Sequence, residues 1–384
     1  MTEPADLLLV NARLVLADRV IERGWVAAVA GRIVEIGEGT APEPGEDCGG
    51  DLVMPGLIEL HTDHIEAHYM PRPSVTWPAA AAVVAYDGQI ATSGITTVLD
   101  SLRVWREEGA DEVAGEAATL AQAIDAARGA GLLRVEHFLH LRCEVPMPHA
   151  VRETEELIHR PDVRLLSLMD HTPGQRQFRD EAKLRAYYRG KKAGISDAEL
   201  DALFARRVEF QAAHAQANYA ALVALAQARG VPLASHDDTT LAHVEDAVRD
   251  RIAVAEFPTT PDAAVALHGA GVRVLMGAPN LVRGGSHTGN VATVDLARAG
   301  VLDILSSDYV PSSLLFAVLR LPEIVPAVDL PAAVRTATKA PAEAVGLSDR
   351  GEIAVGKRAD LIRVRWVDGL CAVRRVFCAG RRVA

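Results

Sequence analysis

Residues 57–63 read LIELHTD, an apolar β-type run that ends in His61, Thr62 and Asp63. Residues i and i+2 of a strand point to the same side, so an imidazole and a carboxylate emerge together where this run stops. The same form recurs along the chain. Strand candidates at 96–100, 134–141, 163–169, 231–235, 252–257, 272–276 and 302–306 alternate with Ala-rich helical segments. Eight such units over about 250 residues predict an α/β fold, a (β/α)8 barrel of the TIM type. An open doubly wound sheet is the alternative, but it would carry a glycine-rich turn after its first strand, and none follows Asp63.

The flanks differ in character. Residues 1–54 and 350–384 are short Val/Ile/Leu runs broken by Gly, Pro and Asp, without helical period. They are expected to form one small β domain built from both termini, with the barrel over 55–349. One connection, near 172–230, is long enough to be a helical insertion. Its stretch 176–192 carries seven basic side chains: Arg176, Arg179, Lys183, Arg185, Arg189, Lys191 and Lys192. Such a run is either a solvated helix face or a cationic lid over an anionic substrate.

Composition narrows the class. With 384 residues, 49% hydrophobic and 24% charged, the chain is neither disordered nor a small crosslinked scaffold. A net charge of −11 argues against nonspecific nucleic-acid binding. Four cysteines without a CxxC pair suit a reduced compartment, and the acidic start and lack of a long apolar run suggest a cytoplasmic protein with no membrane span. A homo-oligomer stays open. Of the 40 basic residues 35 are Arg, whose forked guanidiniums suit phosphate oxygens.

Catalytic groups of a barrel gather at the C-terminal ends of its strands. Here those ends carry His61 and Asp63, then Arg142, Cys143 and Glu144, then Asp170 and His171, then His236, Asp237 and Asp238, and last Ser307 and Asp308. Buried charges are costly without partners or a metal. The expected ligands of one or two divalent ions are His61, Asp63, Glu144, His171 and His236, with zinc first and manganese or magnesium as alternatives.

The stretch VMPGLIELHTD resembles the first-strand signature of the amidohydrolase superfamily, metal-dependent barrels with a β domain drawn from both termini. The longer stretches MPGLIELHTDHIEAHYMPRPSVTWP, GAPNLVRGGSHTGN and LSSDYVPSSLL are similar to its branch of ribose phosphonate triphosphate diphosphatases, which serve the carbon–phosphorus lyase pathway. The superfamily usually has His-x-His where this chain has His61-x-Asp63, a change the branch shares. Position 64 is His where the branch suggests Asn. Many members bridge two metals with a carboxylated lysine. No lysine stands at a strand end here, so Glu144 is the natural replacement, unless it only pairs with Arg142.

The resemblance implies that Asp308 handles the proton of the attacking water. Its other possible role is to cap a helix starting near Pro311. The implied substrate is a ribose with a phosphonate at one end and a triphosphate at the other, which needs clustered cations. Candidates are Arg72, Arg103, Arg142, Arg176, Arg283 and His287, with Gly284-Gly285-Ser286 as an anion cradle before a helix. A cyclic amidase or deaminase acting on C–N bonds is the alternative function, though a neutral heterocycle would not need so many arginines. A metal-free scaffold barrel would have eroded ligands.

Overall fold

The computed structural model describes residues 6–72, 75–105, 116–178, 181–191, 195–286 and 289–384. His287, Arg179 and Lys192 lie outside the described residues. Two eight-stranded sheets organise the chain.

The first sheet is built from both ends. Its N-terminal strands are β1 (Leu7–Val15), β2 (Val20–Val29), β3 (Arg32–Glu38), β4 (Glu46–Asp47) and β5 (Leu52–Pro55). Then come the barrel strands: β6 (Leu57–Thr62), β7 (Ile95–Arg103), β8 (Glu136–Glu144), β9 (Val163–Met169), β10 (Leu233–His236), β11 (Val254–Glu256), β12 (Arg273–Gly277) and β13 (Ile304–Ser306). The C-terminal strands β14 (Leu361–Val367), β15 (Leu370–Cys378) and β16 (Arg381–Arg382) return to the first sheet, where β14 runs antiparallel to β5. Gly56 joins the two bodies. A Cβ there would stand 2.2 Å from Thr96 Oγ1, so the chain passes from sheet to barrel only through a glycine.

The barrel strands are parallel and lie in chain order from β6 to β13. From β7 to β13 each carries an apolar residue facing inward and, two positions on, a polar or small one. Leu99, Phe138, Leu165, Ala234, Val254, Leu275 and Ile304 pack with Ile58 and Leu60 as the inner floor. Above them stand Ser101, His140, Ser167, His236, Glu256, Gly277 and Ser306. In β6 the register slips, with Glu59 opposite Val98 but Thr62 opposite Asp100. The extra residue is a bulge, and it lets Leu60 join the floor while His61 reaches the mouth.

The seam between β13 and β6 is closed by other means than a strand ladder. At its base the backbone of 336–337 is wedged in, accepting from Leu305 N–H (2.9 Å) and Ile58 N–H (2.8 Å). At the mouth the buried Glu59 carboxylate accepts from the backbone N–H groups of His61 (2.7 Å) and Ser307 (2.6 Å) and from Ser306 Oγ (2.7 Å). A carboxylate tying down three donors costs far less to bury than a free one.

Between β9 and β10 lie the helix Glu181–Lys191 and the 33-residue helix Asp197–Arg229. A capping box of Ser196 and Glu199 starts the long helix, and Gly230 in the left-handed region ends it. Arg185 and Arg189 pair with Asp201 and Asp197 of the long helix, so these two cations join helices. Among the described residues no helix is long and apolar enough to cross a membrane.

Outside the barrel wall, His137 is fully buried between Asp100 (2.8 Å) and Asp87 (3.3 Å). Burial opposes its protonation, but the two carboxylates overcome this and push the imidazole up to about 9. A histidine raised from about 6.5 stabilises fully below that value and loses the contribution as pH rises through 9. The loss should be about 3 kcal/mol at the linkage rate per pKa unit. Urea midpoints of the wild type and of His137→Gln, taken from pH 6 to 10, check this. A gap between them that does not change with pH would contradict the charged state.

Candidate active site

Polar side chains of five strands converge at the barrel mouth. Glu256, at the end of β11 and fully buried, is the hub. Its Oε2 accepts from Ser167 Oγ (2.8 Å) and His236 Nδ1 (3.0 Å). Its Oε1 stands 3.0 Å from His61 Nδ1 and 3.6 Å from His140 Nε2, without the alignment of a hydrogen bond. The His61 and His236 rings stack at 5.4 Å. Burial drives both imidazoles well below their ordinary range, so both are neutral.

A second convergence lies beside the first. Glu144, which closes β8, accepts from His171 N and from His171 Nδ1, both at 2.6 Å. Burial would raise the Glu144 carboxyl, but His171 brings it down to about 2. His171 and His236 therefore each donate Nδ1–H to a buried carboxylate and turn Nε2 the other way. Both Nε2 atoms face Asp237 Oδ2, at 3.9 and 3.5 Å. That oxygen is buried without a hydrogen-bond partner, and burial pushes the Asp237 carboxyl up to about 7.

Among the described residues, two groups thus bring three donor atoms within 4.8 Å of one another: His61, His140 and Glu256, and His171, His236 and Asp237. Imidazoles of His61 and His236 that burial keeps neutral, rings of His171 and His236 oriented through Nδ1, and two buried carboxylate oxygens without a hydrogen-bond donor fit divalent cations of the zinc or manganese kind. They do not fit a dry polar core, where each orphaned oxygen would be a net cost.

Asp63 goes elsewhere. Its carboxylate faces Arg142 (3.2 Å) and Arg103 (3.7 Å), and Arg103 also meets Glu66 at 2.9 Å. Burial works against the charge on Asp63, but the two guanidiniums hold it below the usual carboxylate range. Arg176 donates to His236 O (2.7 Å) and Asp238 Oδ1 (2.8 Å), which brings the insertion's first turn to the end of β10. Arg283 is exposed, 3.5 Å from Tyr309 OH, and Arg72 is exposed on the loop after the helix His64–Tyr69. The expected anion cradle begins at Gly284, and its His287 lies outside the described residues. With φ +82° Gly284 ends the short helix Ala278–Arg283, and the next helix starts only at Thr293. A left-handed glycine closes a helix and exposes carbonyls rather than N–H groups.

Asp308 stands two residues past β13 with φ +53°. Asp237 (φ +56°) and Phe257 (φ +53°), each just past its strand, share this left-handed backbone. Strain of this kind gathers at functional sites. Asp308 is no helix cap, because the helix Ser313–Ile324 begins beyond it and has Ser312 at its N-cap with no side-chain bond. Burial and the nearby Asp63 push the Asp308 carboxyl up to about 8, against the opposing pull of Arg142.

Sequence reasoning missed His140 and Glu256 and left Asp237 out of its ligand set. Glu256 had one available signal, a lone carboxylate inside an apolar β run.

The pattern of the Amidohydrolase family matches residues 79–368. The chain is 42% identical to the alpha-D-ribose 1-methylphosphonate 5-triphosphate diphosphatase of Escherichia coli K12, over 98% of this chain and 100% of that protein. Among solved structures it is similar to N-acetyl-D-glucosamine-6-phosphate deacetylase from Mycobacterium smegmatis, with a TM-score of 0.63, 20% identity, and 98% and 100% of the two chains covered. Dihydropyrimidinase from Brevibacillus agri NCHU1002 has a TM-score of 0.61 at 14% identity, covering 98% and 94%. The last two likenesses concern the fold, a barrel with its terminal β sheet. The match over three quarters of its length, and a relative alike from end to end, establish that the chain belongs to the amidohydrolase family.

Proposed function

We propose that this chain hydrolyses α-D-ribose 1-methylphosphonate 5-triphosphate to the 5-phosphate and pyrophosphate, as a cytoplasmic enzyme of phosphonate catabolism. The observation that carries this reading is the 42% identity over the whole length of the diphosphatase. The orphaned donor atoms and the arginines at the mouth support it chemically.

In this reading His171, His236 and Asp237 hold one cation, and His61, His140 and Glu256 a second, with zinc preferred over manganese or magnesium. When bound, a divalent cation supplies Lewis acidity at a phosphoryl oxygen and makes nearby water more acidic. Glu144 and Glu256 keep the His171 and His236 rings in the Nδ1–H tautomer. The Asp308 carboxylate takes the proton of the attacking water. Arg103 and Arg142, steadied by Asp63 and Glu66, offer N–H groups to phosphate oxygens, and Arg176 and Arg283 flank them. Such contacts position and neutralise a polyanion, which is most of phosphoryl-transfer catalysis.

A C–N hydrolase is the second reading. It rests on 31% identity to adenine deaminase from Dehalococcoides mccartyi, over 44% of this chain and 28% of that protein.

Product analysis decides between them. Metal-reconstituted protein is offered the ribose phosphonate triphosphate, ATP, dihydroorotate and adenine in parallel. Pyrophosphate released with the ribose 5-phosphate product is the expected result. Ammonia from adenine, or opening of the dihydroorotate ring, without pyrophosphate would overturn it. The same preparation should hold at least one metal equivalent. Less than about half an equivalent would sink the cation sites, since such sites bind tightly.

A further inference from the structure

Asp308 sits in left-handed backbone, which Asp adopts more readily than most L-residues, and its carbonyl side is held there by hydrogen bonds. The hold comes from across the seam. Thr62 Oγ1, at the end of β6 and fully buried, donates to Asp308 O at 2.6 Å. His64 Nδ1, at the start of the next helix, donates to Tyr309 O at 3.0 Å. Two consecutive carbonyls, one on each side of the Tyr309 N–H, are therefore fixed by two residues of the first strand's exit. On the other flank Asp308 N–H donates to Ser306 Oγ at 3.2 Å.

The clamp is itself braced. His64 N–H donates to Thr62 Oγ1 (3.3 Å), and Thr62 N–H donates to Ser101 Oγ (3.0 Å), so the hydroxyl has one orientation left for Asp308. Gln89 Oε1 lies 3.1 Å from His64 Nε2 and 2.7 Å from His68 Nε2. This oxygen accepts from the His68 ring and braces the His64 ring from the side opposite Tyr309.

We propose that Thr62 and His64 are positioning residues for Asp308, clamping the backbone that presents its carboxylate at the barrel mouth. The inference rests on the reading of Asp308 as proton acceptor. Loss of the clamp lets the loop relax to negative φ and swings the carboxylate off its line. A displacement of that order far from the bonds that change is enough to cost turnover without costing binding.

The test compares Thr62→Val, which keeps shape and loses the donor, with Thr62→Ser, which keeps it. His64→Leu is compared with His64→Asn, whose amide replaces the Nδ1 donor alone. Thr62→Val should lower kcat by about 10–100-fold, the range for small misplacement of a catalytic group. KM and metal content should stay near wild type, amide exchange over 306–310 should quicken, and Thr62→Ser should restore most of kcat. His64→Leu should fall less, with His64→Asn recovering it. Should Thr62→Val fail to fold, the His64 pair carries the same comparison.

Asp308→Asn is measured alongside. If it collapses turnover while Thr62→Val and His64→Leu keep wild-type kcat, the clamp is refuted and the role of Asp308 stands. If Asp308→Asn itself turns over normally, the reading beneath the clamp fails and the clamp with it.

Discussion

Asp308→Asn should lose about 10²–10⁴ in kcat, the range for removing a general base, while keeping its metal and its melting temperature. The argument begins with what Asp308 does not do. The helix that follows starts at Ser313 and takes no side-chain cap, so the substitution disturbs no helix terminus. Asn also tolerates left-handed backbone, so the φ of +53° remains accessible. What disappears is the basic oxygen. Burial and Asp63 raise its carboxyl to about 8, and Arg142 pulls the other way. Only the ionised form accepts a proton, so kcat should rise with pH through an acid limb. That limb falls at or below about 8, since a cation in the adjoining sites pulls the carboxyl further down. The Asn variant should show no such limb. Pyrophosphate release from pH 5 to 9, with metal measured on the same samples, checks both. A variant with its metal bound and more than about a tenth of wild-type kcat would rule out proton transfer on this scale.

The barrel was legible because each of its strands is an apolar run between helical segments, and the eight runs read from the sequence all lie in the parallel sheet. Their ends were harder to place. The run 231–235 pairs only from Leu233, because Pro232 has no N–H to give and Val231 N–H is taken by Ala226 O. The run 134–141 was read too short. β8 continues to Glu144, and this puts His140, Arg142 and Glu144 on one inward face. A strand that stops at Leu141 hides His140 in an apolar stretch, while Arg142 and Glu144 still stand at its end.

The site was half legible for a related reason. His61, His171 and His236 sit at strand ends beside other polar residues and draw notice. Glu256 is followed by Phe257 and preceded by Val254 and Ala255. Its importance comes from register, since β10 and β11 set His236 opposite Glu256. No local pattern encodes a parallel pairing across twenty residues. The same holds for Asp63, whose spacing from His61 suggests a shared ion but whose nearest charges are Arg103 and Arg142 from the next two strands. The arginines there are numerous because the mouth is rich in carboxylates that need balancing as well as because a polyanion is expected.

Glu256→Gln should release the bound metal more readily by at least 10–100-fold, the loss typical of removing a carboxylate that orients metal-binding imidazoles. The carboxylate accepts Nδ1–H from His236, which leaves Nε2 free to face Asp237, and its other oxygen faces His61 and His140. An amide of the same size removes the charge from both places at once. Its carbonyl can serve only one of these places, so the NH2 faces the other, where the wild type offers an oxygen. The dependence of the stability change on metal separates this from simple damage. Without metal, the variant should be less stable than the wild type, because burial works against Glu256 being ionised but His140, His236 and Ser167 more than offset that cost and hold its carboxyl below the ordinary range. With metal, the wild type alone should gain the large stabilisation that tight binding to the folded state confers. Metal retained after dialysis against a chelator, and melting temperatures with and without zinc, read the two effects apart. A variant that keeps its metal like the wild type, or whose melting temperature rises with zinc as much as the wild type's, would remove Glu256 from this role and leave it a polar packing residue above the barrel floor.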